Sequence, residues 1–249
     1  MAEISAIAVK TLRDKLQLPM MEVKKALTEA NGDEEKAIAI LREQFKKVQV
    51  KRAENATTEG RIWISSTPDG SSAAMVELQC ESAPVASNDG FLGLARQCAN
   101  QLLNGPGANT PEELLDQPAP EASGKTLRTV CEDLTNQIRE KIVLARVVKI
   151  AGPVNGYVHH DGKNACLFQA EGGNGKLDIL RDVAMHVTAL RPLCCHPEEL
   201  NQDVIAAERA RQSAEAKQSG KPDNIIEKIV DGRMKVFYNE QGVLTFQPF

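Results

Sequence analysis

The stretch MMEVKKALTEANGD, residues 20–33, predicts the first packing unit of the chain. An apolar face at helical spacing is formed by Val23, Ala26, Leu27 and Ala30. The helix is expected to end at Asn31-Gly32-Asp33, because Gly32 suits the left-handed residue past a helix end and Asp33 suits the next N-cap. Residues 20–33 therefore predict one complete helix and the start of another.

Similar patterns on both sides extend this unit to a three-helix bundle. The preceding helix is capped by Ser5 and carries Ile7, Val9, Leu12 and Leu16. Pro19 interrupts the helical ladder between the two. The third helix places Ala37, Ile38 and Leu41 on one face. We predict an N-terminal domain over residues 1–50 and a linker over 51–59. We also expect Met20 and Met21, at the turn between helices, either to fill the small core or to meet a partner's apolar surface.

Residues 60–196 combine alternating and helical apolar patterns. Strands are predicted at 61–65, 74–80, 143–150, 157–159 and 165–170. Amphipathic helices are predicted between the second and third strands and after the last strand. Tight turns such as Thr67-Pro68-Asp69-Gly70 join successive strands, so the sheets should be antiparallel and the fold α+β. We predict two core subdomains that each join an antiparallel sheet to helices, over residues 60–141 and 142–196.

The C-terminal part predicts a helical hairpin. Residues 197–218 carry only a narrow apolar stripe, and a second stripe follows the reversal at Ser219-Gly220-Lys221-Pro222. Two such helices predict a protruding, coiled-coil-like hairpin over 197–237 that contacts a partner. The alternative is a hairpin that lies back on the core. Residues 238–249 are predicted to be a closing strand of the core.

Composition excludes several classes of protein. The chain has 249 residues, 42% of them hydrophobic, and a formal net charge of −4. This acidic balance argues against direct nucleic-acid binding, which depends on Lys and Arg against phosphates. The sequence shows no apolar run of about 20 residues, the length a membrane span needs. The start, Met1 to Ser5, lacks the pattern of a signal peptide, so we expect a cytoplasmic protein with no membrane contact.

Candidate catalytic groups are few. His159-His160-Asp161 could form an acid–base pair, yet adjacent strand residues face opposite sides, and no supported nucleophile is near. Cys194-Cys195-His196 lacks a second ligand pair at usable spacing, so a metal- or thiol-dependent enzyme is the weaker alternative. Ala119 to Thr126 resembles a phosphate loop only by chance, because no strand precedes it and Pro120 removes a donor. We predict a binding protein that is not an enzyme and carries no cofactor or metal.

Several segments resemble the translation elongation factor Ts family. Residues 20–33 are similar to its N-terminal helical signature, and Ala184-Met185-His186-Val187 to its core helix. Gln218 to Pro222 and Ile229 to Lys235 are similar to its hairpin turn and second hairpin helix. The resemblance implies a guanine nucleotide exchange factor in translation. It would bind elongation factor Tu carrying GDP, disturb the magnesium and phosphate site, and promote exchange of GDP for GTP.

The resemblance also implies a partner surface. Its central element is an exchange loop at Ser82, Ala83, Pro84 and Val85, where the family usually reads Thr-Asp-Phe-Val. Ala83 and Pro84 thus replace the acidic and aromatic residues, and we expect a rigid, shorter wedge. The other implied partner contacts are Leu12, Met20, Met21, His160 and Gly220.

Two departures from the family and two alternatives accompany this reading. Leu16 to Pro19 replaces a glycine-containing turn, and relatives often continue with a short C-terminal module beyond the position of Phe249. A homodimer through the hairpin stays an open alternative. So does a helical-domain adaptor that binds nascent chains or ubiquitin-like folds, because the 1–50 bundle resembles ubiquitin-associated domains.

Overall fold

The N-terminal bundle consists of three helices, as the sequence predicts. The computed structural model of the protein describes residues 4–16, 18–172 and 175–248. The helices are α1 (Ala6–Leu16), α2 (Met20–Glu29) and α3 (Glu34–Arg52). Asp33 caps α3, since its carboxylate accepts a hydrogen bond of 3.0 Å from the Lys36 N–H. The core of the bundle contains Val9, Leu12, Leu18, Val23, Ala26, Leu27, Ala30, Ala37, Leu41 and Phe45.

Three antiparallel strands form the main sheet of the molecule. They are β1 (Glu59–Ser66), β2 (Ser72–Cys80) and β3 (Ile142–Ala151), with β2 in the middle. Val76 of β2 lies opposite Trp63 of β1 on one side and opposite Val147 of β3 on the other. The prediction that β3 begins the second subdomain is therefore wrong, because this strand completes the first sheet.

Four helices pack against or beside this sheet. They are α4 (Ala83–Ala86), α5 (Asp89–Asn104), α6 (Pro111–Leu115) and α7 (Leu127–Ile138). The largest core lies between the sheet and α5, where Phe91, Leu94 and Leu102 are fully buried. Asn88 caps α5 by accepting hydrogen bonds from the N–H groups of Gly90 and Phe91. Burial of this apolar face is the main stabilising contribution to the central domain.

A second, smaller layer consists of a two-stranded antiparallel sheet and one helix. The strands are β4 (Val154–Val158) and β5 (Ala165–Gln169), and α8 (Leu177–Leu190) packs on both. The side-chain amide of Asn155 donates a hydrogen bond of 2.9 Å to the carbonyl of Leu177, which fixes the start of α8 to β4. Both sheets are antiparallel, so the α+β prediction is confirmed.

The C-terminal hairpin consists of α9 (Gln202–Lys217) and α10 (Asp223–Glu240), which pack chiefly on each other. Their contact is made by Ala216, Ile226, Val230 and Met234. Beyond α10 the predicted closing strand is wrong. Val243 forms a single parallel bridge with Cys194, and residues 244–246 form a 3-10 helix. The rings of Tyr238 and Phe246 pack at a tilt of 50°, with centroids 4.9 Å apart, so aromatic packing replaces a strand ladder there.

Some residues that the sequence predictions cover lie outside the described part of the chain, namely Met1 to Glu3, Gln17 and Phe249. Every helix in the ranges given above is too short or too polar to span a lipid bilayer.

Candidate functional site

The segment Ser82–Val85 is a short helical turn and not the open loop that the sequence predicts. Residues 83–86 form α4, with Pro84 in its first turn, where a missing N–H costs nothing. Ala83 and Pro84 are exposed, whereas Val85 packs against the main core and Ala86 is buried. The segment therefore presents a small apolar surface, and its C-terminal end is held in the core by Val85 and Ala86.

Ser82 anchors the near end of this segment. Its N–H and its hydroxyl donate hydrogen bonds of 3.0 and 2.7 Å to the carboxylate of Glu140. Bonds to a charged acceptor are the stronger kind. Its carbonyl accepts a weaker bond from the Cys80 thiol at 3.3 Å. Ser82 thus holds α4 in place, and Ala83 and Pro84 are the residues that α4 presents to solvent.

The residue before Glu140 extends this contact to the N-terminal bundle. Arg139 adopts the left-handed conformation, φ 66°, at the end of α7, and its guanidinium pairs with the carboxylate of Glu22 on α2. Sequence reasoning missed Arg139 and Glu140, because no local pattern marks a left-handed turn at the end of this helix. Only the structure shows that the chain turns there and brings α2 close to α4.

Met20 and Met21 lie in the first turn of α2, next to Glu22. Their exposed fractions are 53% and 74%, so neither fills the core of the bundle. Leu12 is different, because only 1% of it is exposed and it packs inside the bundle. The prediction that Leu12 contacts a partner is therefore wrong, because its side chain belongs to the core of the bundle. Met20 and Met21 form an exposed, adaptable apolar pair.

His160 lies in the turn between β4 and β5, where it is exposed. Its ring is 4.2 Å from that of His159, so the expectation that the two rings are kept apart is wrong. The reason is that β4 ends at Val158, and both histidines belong to the turn. The pKa of the neighbouring Asp161 lies below its ordinary value, mainly because the Lys163 N–H donates to its carboxylate.

Arg61 of β1 connects this turn to α4. Its guanidinium donates a 3.0 Å hydrogen bond to the hydroxyl of Ser87, just after α4, and its side chain lies directly under Gly162. The Ile62 N–H also donates to the Gly162 carbonyl at 2.8 Å. The structure thus links three predicted contact regions: the start of α2, the segment 82–85 and the turn of His160.

Gly220 lies apart from these regions, in the reversal between α9 and α10. Its φ is +65°, a conformation that L side chains rarely adopt, and an added Cβ would meet no atom within 4 Å. Glycine is therefore required here by the backbone turn and not by crowding. Residues 217–225, which form the tip of the hairpin, are exposed.

Comparison with known proteins identifies the family of this chain. A family model described as elongation factor Ts matches residues 81–249. The elongation factor Ts of Hydrogenobaculum sp. (strain Y04AAS1) is 39% identical over 243 residues, which cover 97% of this chain and 87% of the relative. The chain belongs to the elongation factor Ts family. The elongation factor Ts of Thiobacillus denitrificans is 38% identical over 251 residues, covering 100% of this chain and 83% of the relative.

Family membership places the protein in translation elongation, a step of protein biosynthesis. In the described part of the chain, no group of three or more His, Cys, Asp and Glu side chains is placed to hold a metal ion. At Cys194-Cys195-His196, the backbone N–H groups of Cys195 and His196 donate to Glu199. This glutamate fixes the conformation of the segment.

Proposed function

We propose that this protein is a guanine nucleotide exchange factor for elongation factor Tu, and that it acts by binding, with no chemistry or cofactor of its own. The proposal is carried by the similarity to elongation factor Ts proteins along the whole chain. A partner that binds the nucleotide-free form more tightly must weaken nucleotide binding by the same factor. Exchange therefore needs a surface that binds the GDP-bound form but fits the GDP-free form better.

The segment 82–85 supplies the part of that surface nearest the nucleotide. Ala83 and Pro84 form a wedge without charge or ring, held at one end by Ser82 and at the other by the core. Such a wedge acts by displacing the partner's backbone around the magnesium ion and phosphates. Because a hard cation bridges phosphate oxygens, its displacement removes much of the hold on GDP.

Other exposed groups supply the remaining affinity. Met20 and Met21 bind an apolar patch of elongation factor Tu, His160 approaches its phosphate-loop side, and the hairpin tip at Gly220 reaches a more distant part. The exposure of all four residues supports this assignment. The contacts that link α2, α4 and the His160 turn support their action on one partner.

The test removes the methionine pair and measures exchange. We expect Met20→Ala with Met21→Ala to raise the half-saturating concentration for GDP release from elongation factor Tu about tenfold, as for an interface anchor. The melting temperature should stay unchanged, because both side chains are exposed. The control is Val148→Ala, an exposed apolar residue of β3 outside the proposed surface. An equal effect of both variants, or none of either, would contradict the assignment.

A further inference from the structure

The turn between α7 and β3, residues 139–141, holds separate parts of the molecule together. Arg139 pairs with Glu22 of the N-terminal bundle, and Glu140 holds Ser82 at the start of the 82–85 segment. Two successive residues therefore contact the two regions to which the proposed function assigns partner binding. The turn is therefore a direct link between these two regions.

Glu81 adds a second link at the same place. Its carboxylate accepts hydrogen bonds from the Arg52 guanidinium at 2.9 and 3.0 Å, the Asn55 amide at 2.8 Å and the Lys141 N–H at 2.6 Å. The ammonium of Lys141 also donates to the carbonyls of Ala53 and Asn55, at 2.6 and 3.1 Å. One carboxylate thus joins the end of α3, the linker after it and the start of β3.

The environment of Glu81 makes these bonds stronger than an ordinary surface pair. Its side chain is 18% exposed, against 47% for Glu121, which binds Arg96 with a similar two-oxygen geometry. Burial would raise the pKa of Glu81, yet hydrogen bonds from Lys141, Asn55 and Arg52 outweigh burial and lower it. A partly buried carboxylate with three donors is costly to disrupt, because each donor is then left without its partner.

We propose that Glu81 is a positioning residue that couples the orientation of the N-terminal bundle to the Ser82–Val85 segment. Glu81 is bonded directly to Ser82 in the chain, and Arg52 and Asn55 attach it to the end of the bundle. Docking of the bundle on the partner therefore sets the position of Ala83 and Pro84. This proposal rests on the proposed exchange function and adds how binding at one region is transmitted to the other.

The first test is hydrogen exchange of the protein alone. Glu81→Gln keeps the size of the side chain but removes its charge and one acceptor, so one donor is left unpaired. We expect amide exchange to increase together in residues 53–57 and in residues 82–87, each by at least about fivefold, as a cooperative local opening predicts. The amides of α5 should not change. Glu121→Gln, the matched control, should leave both segments unchanged.

The second test separates positioning from binding in GDP release. We expect Glu81→Gln to lower the maximal rate about three- to tenfold while the half-saturating concentration stays within about twofold, because the interaction acts after docking. A rise in the half-saturating concentration with an unchanged maximal rate would overturn the proposal. Arg52→Met removes the same link from the other side and should reproduce the pattern if Glu81→Gln does not fold.

The two tests also separate the two proposals. Faster exchange at 53–57 without a change at 82–87 would overturn the coupling, whatever the kinetics show. If the wild-type protein does not accelerate GDP release, the proposed function fails. Hydrogen exchange still decides whether Glu81 couples the two segments, since it needs no partner.

Discussion

Ala83 and Pro84 stand where the resemblance to the family leads us to expect an acidic and an aromatic residue, and they are exposed on α4. If they form a minimal wedge, restoring the acidic and aromatic side chains should strengthen it. We expect Ala83→Asp with Pro84→Phe to increase the maximal rate of GDP release from elongation factor Tu several-fold. Each single variant should give part of the increase. An unchanged rate would mean that α4 is only structural.

The cysteines provide a second test at the residue scale. Burial raises the pKa of Cys80 to about 11, of Cys98 to about 12 and of Cys131 to about 11, so their reactive thiolate forms are scarce. Cys195 is exposed. We expect iodoacetamide at about pH 8, well below these values, to alkylate Cys195 first and the three buried thiols only after unfolding, as measured by peptide mass spectrometry. Equal labelling of Cys98 and Cys195 would contradict the packing of α5.

At the scale of elements, the hairpin owes its shape to a short apolar contact between α9 and α10. Met234 is 1% exposed in that contact, whereas Val236 on the same helix is 57% exposed. We expect Met234→Ala to destabilise the hairpin by about 2–5 kcal/mol and Val236→Ala by less than about 0.5 kcal/mol. Hydrogen exchange of residues 202–240 measures both. Similar effects of the two variants would mean that α10 is packed differently.

Elements with a regular apolar period were predictable from sequence, and those set by distant partners were not. The helix of residues 20–29 and strands β1 and β2 follow directly from spacing and turn chemistry. The sheet to which β3 belongs depends on pairing with β2 over some 70 residues of chain, which no local pattern specifies. Residues 244–246 looked like a strand, yet contacts with α10 and the Cys194 segment give a 3-10 helix.

The candidate site divides in the same way. The resemblance to the family names Met20, Met21 and the segment 82–85 as partner contacts, and this stays a prediction. No sequence pattern names the links between them, since Arg139 and Glu140 act through a left-handed turn and long-range bonds. Leu12 shows the converse, because a residue predicted to contact a partner is buried in the core of the bundle.

For the whole molecule, carboxylate hydrogen bonds predict the response to acid. Hydrogen bonds lower the pKa of Asp69 and of Glu208 to about 2, and the pKa of Glu81 is also lowered. A group with a depressed folded pKa contributes stability above its unfolded pKa and loses it as pH falls through the folded value. We expect the melting temperature, followed by circular dichroism, to be level between about pH 7 and 5 and to fall from about pH 4.5 to 2.

Variants can identify the groups that cause this fall. Glu208 accepts hydrogen bonds from Arg211 and Gln212. Glu208→Gln should therefore make the fall in melting temperature at low pH smaller. The pH at which the fall begins should not change, because the other carboxylates still titrate. A melting temperature that stays level down to about pH 2 would contradict the assigned carboxylate bonds.

The central claim concerns the molecule as a whole. It is that Ala83 and Pro84 on α4 and the exposed methionine pair of the N-terminal bundle act together to release GDP from elongation factor Tu. The most direct measurement is release of a fluorescent GDP analogue from purified elongation factor Tu, with increasing amounts of this protein. We predict strong, saturable acceleration that excess magnesium reduces, since the ion holds the phosphates. Tight binding without acceleration, or no binding, would contradict the claim.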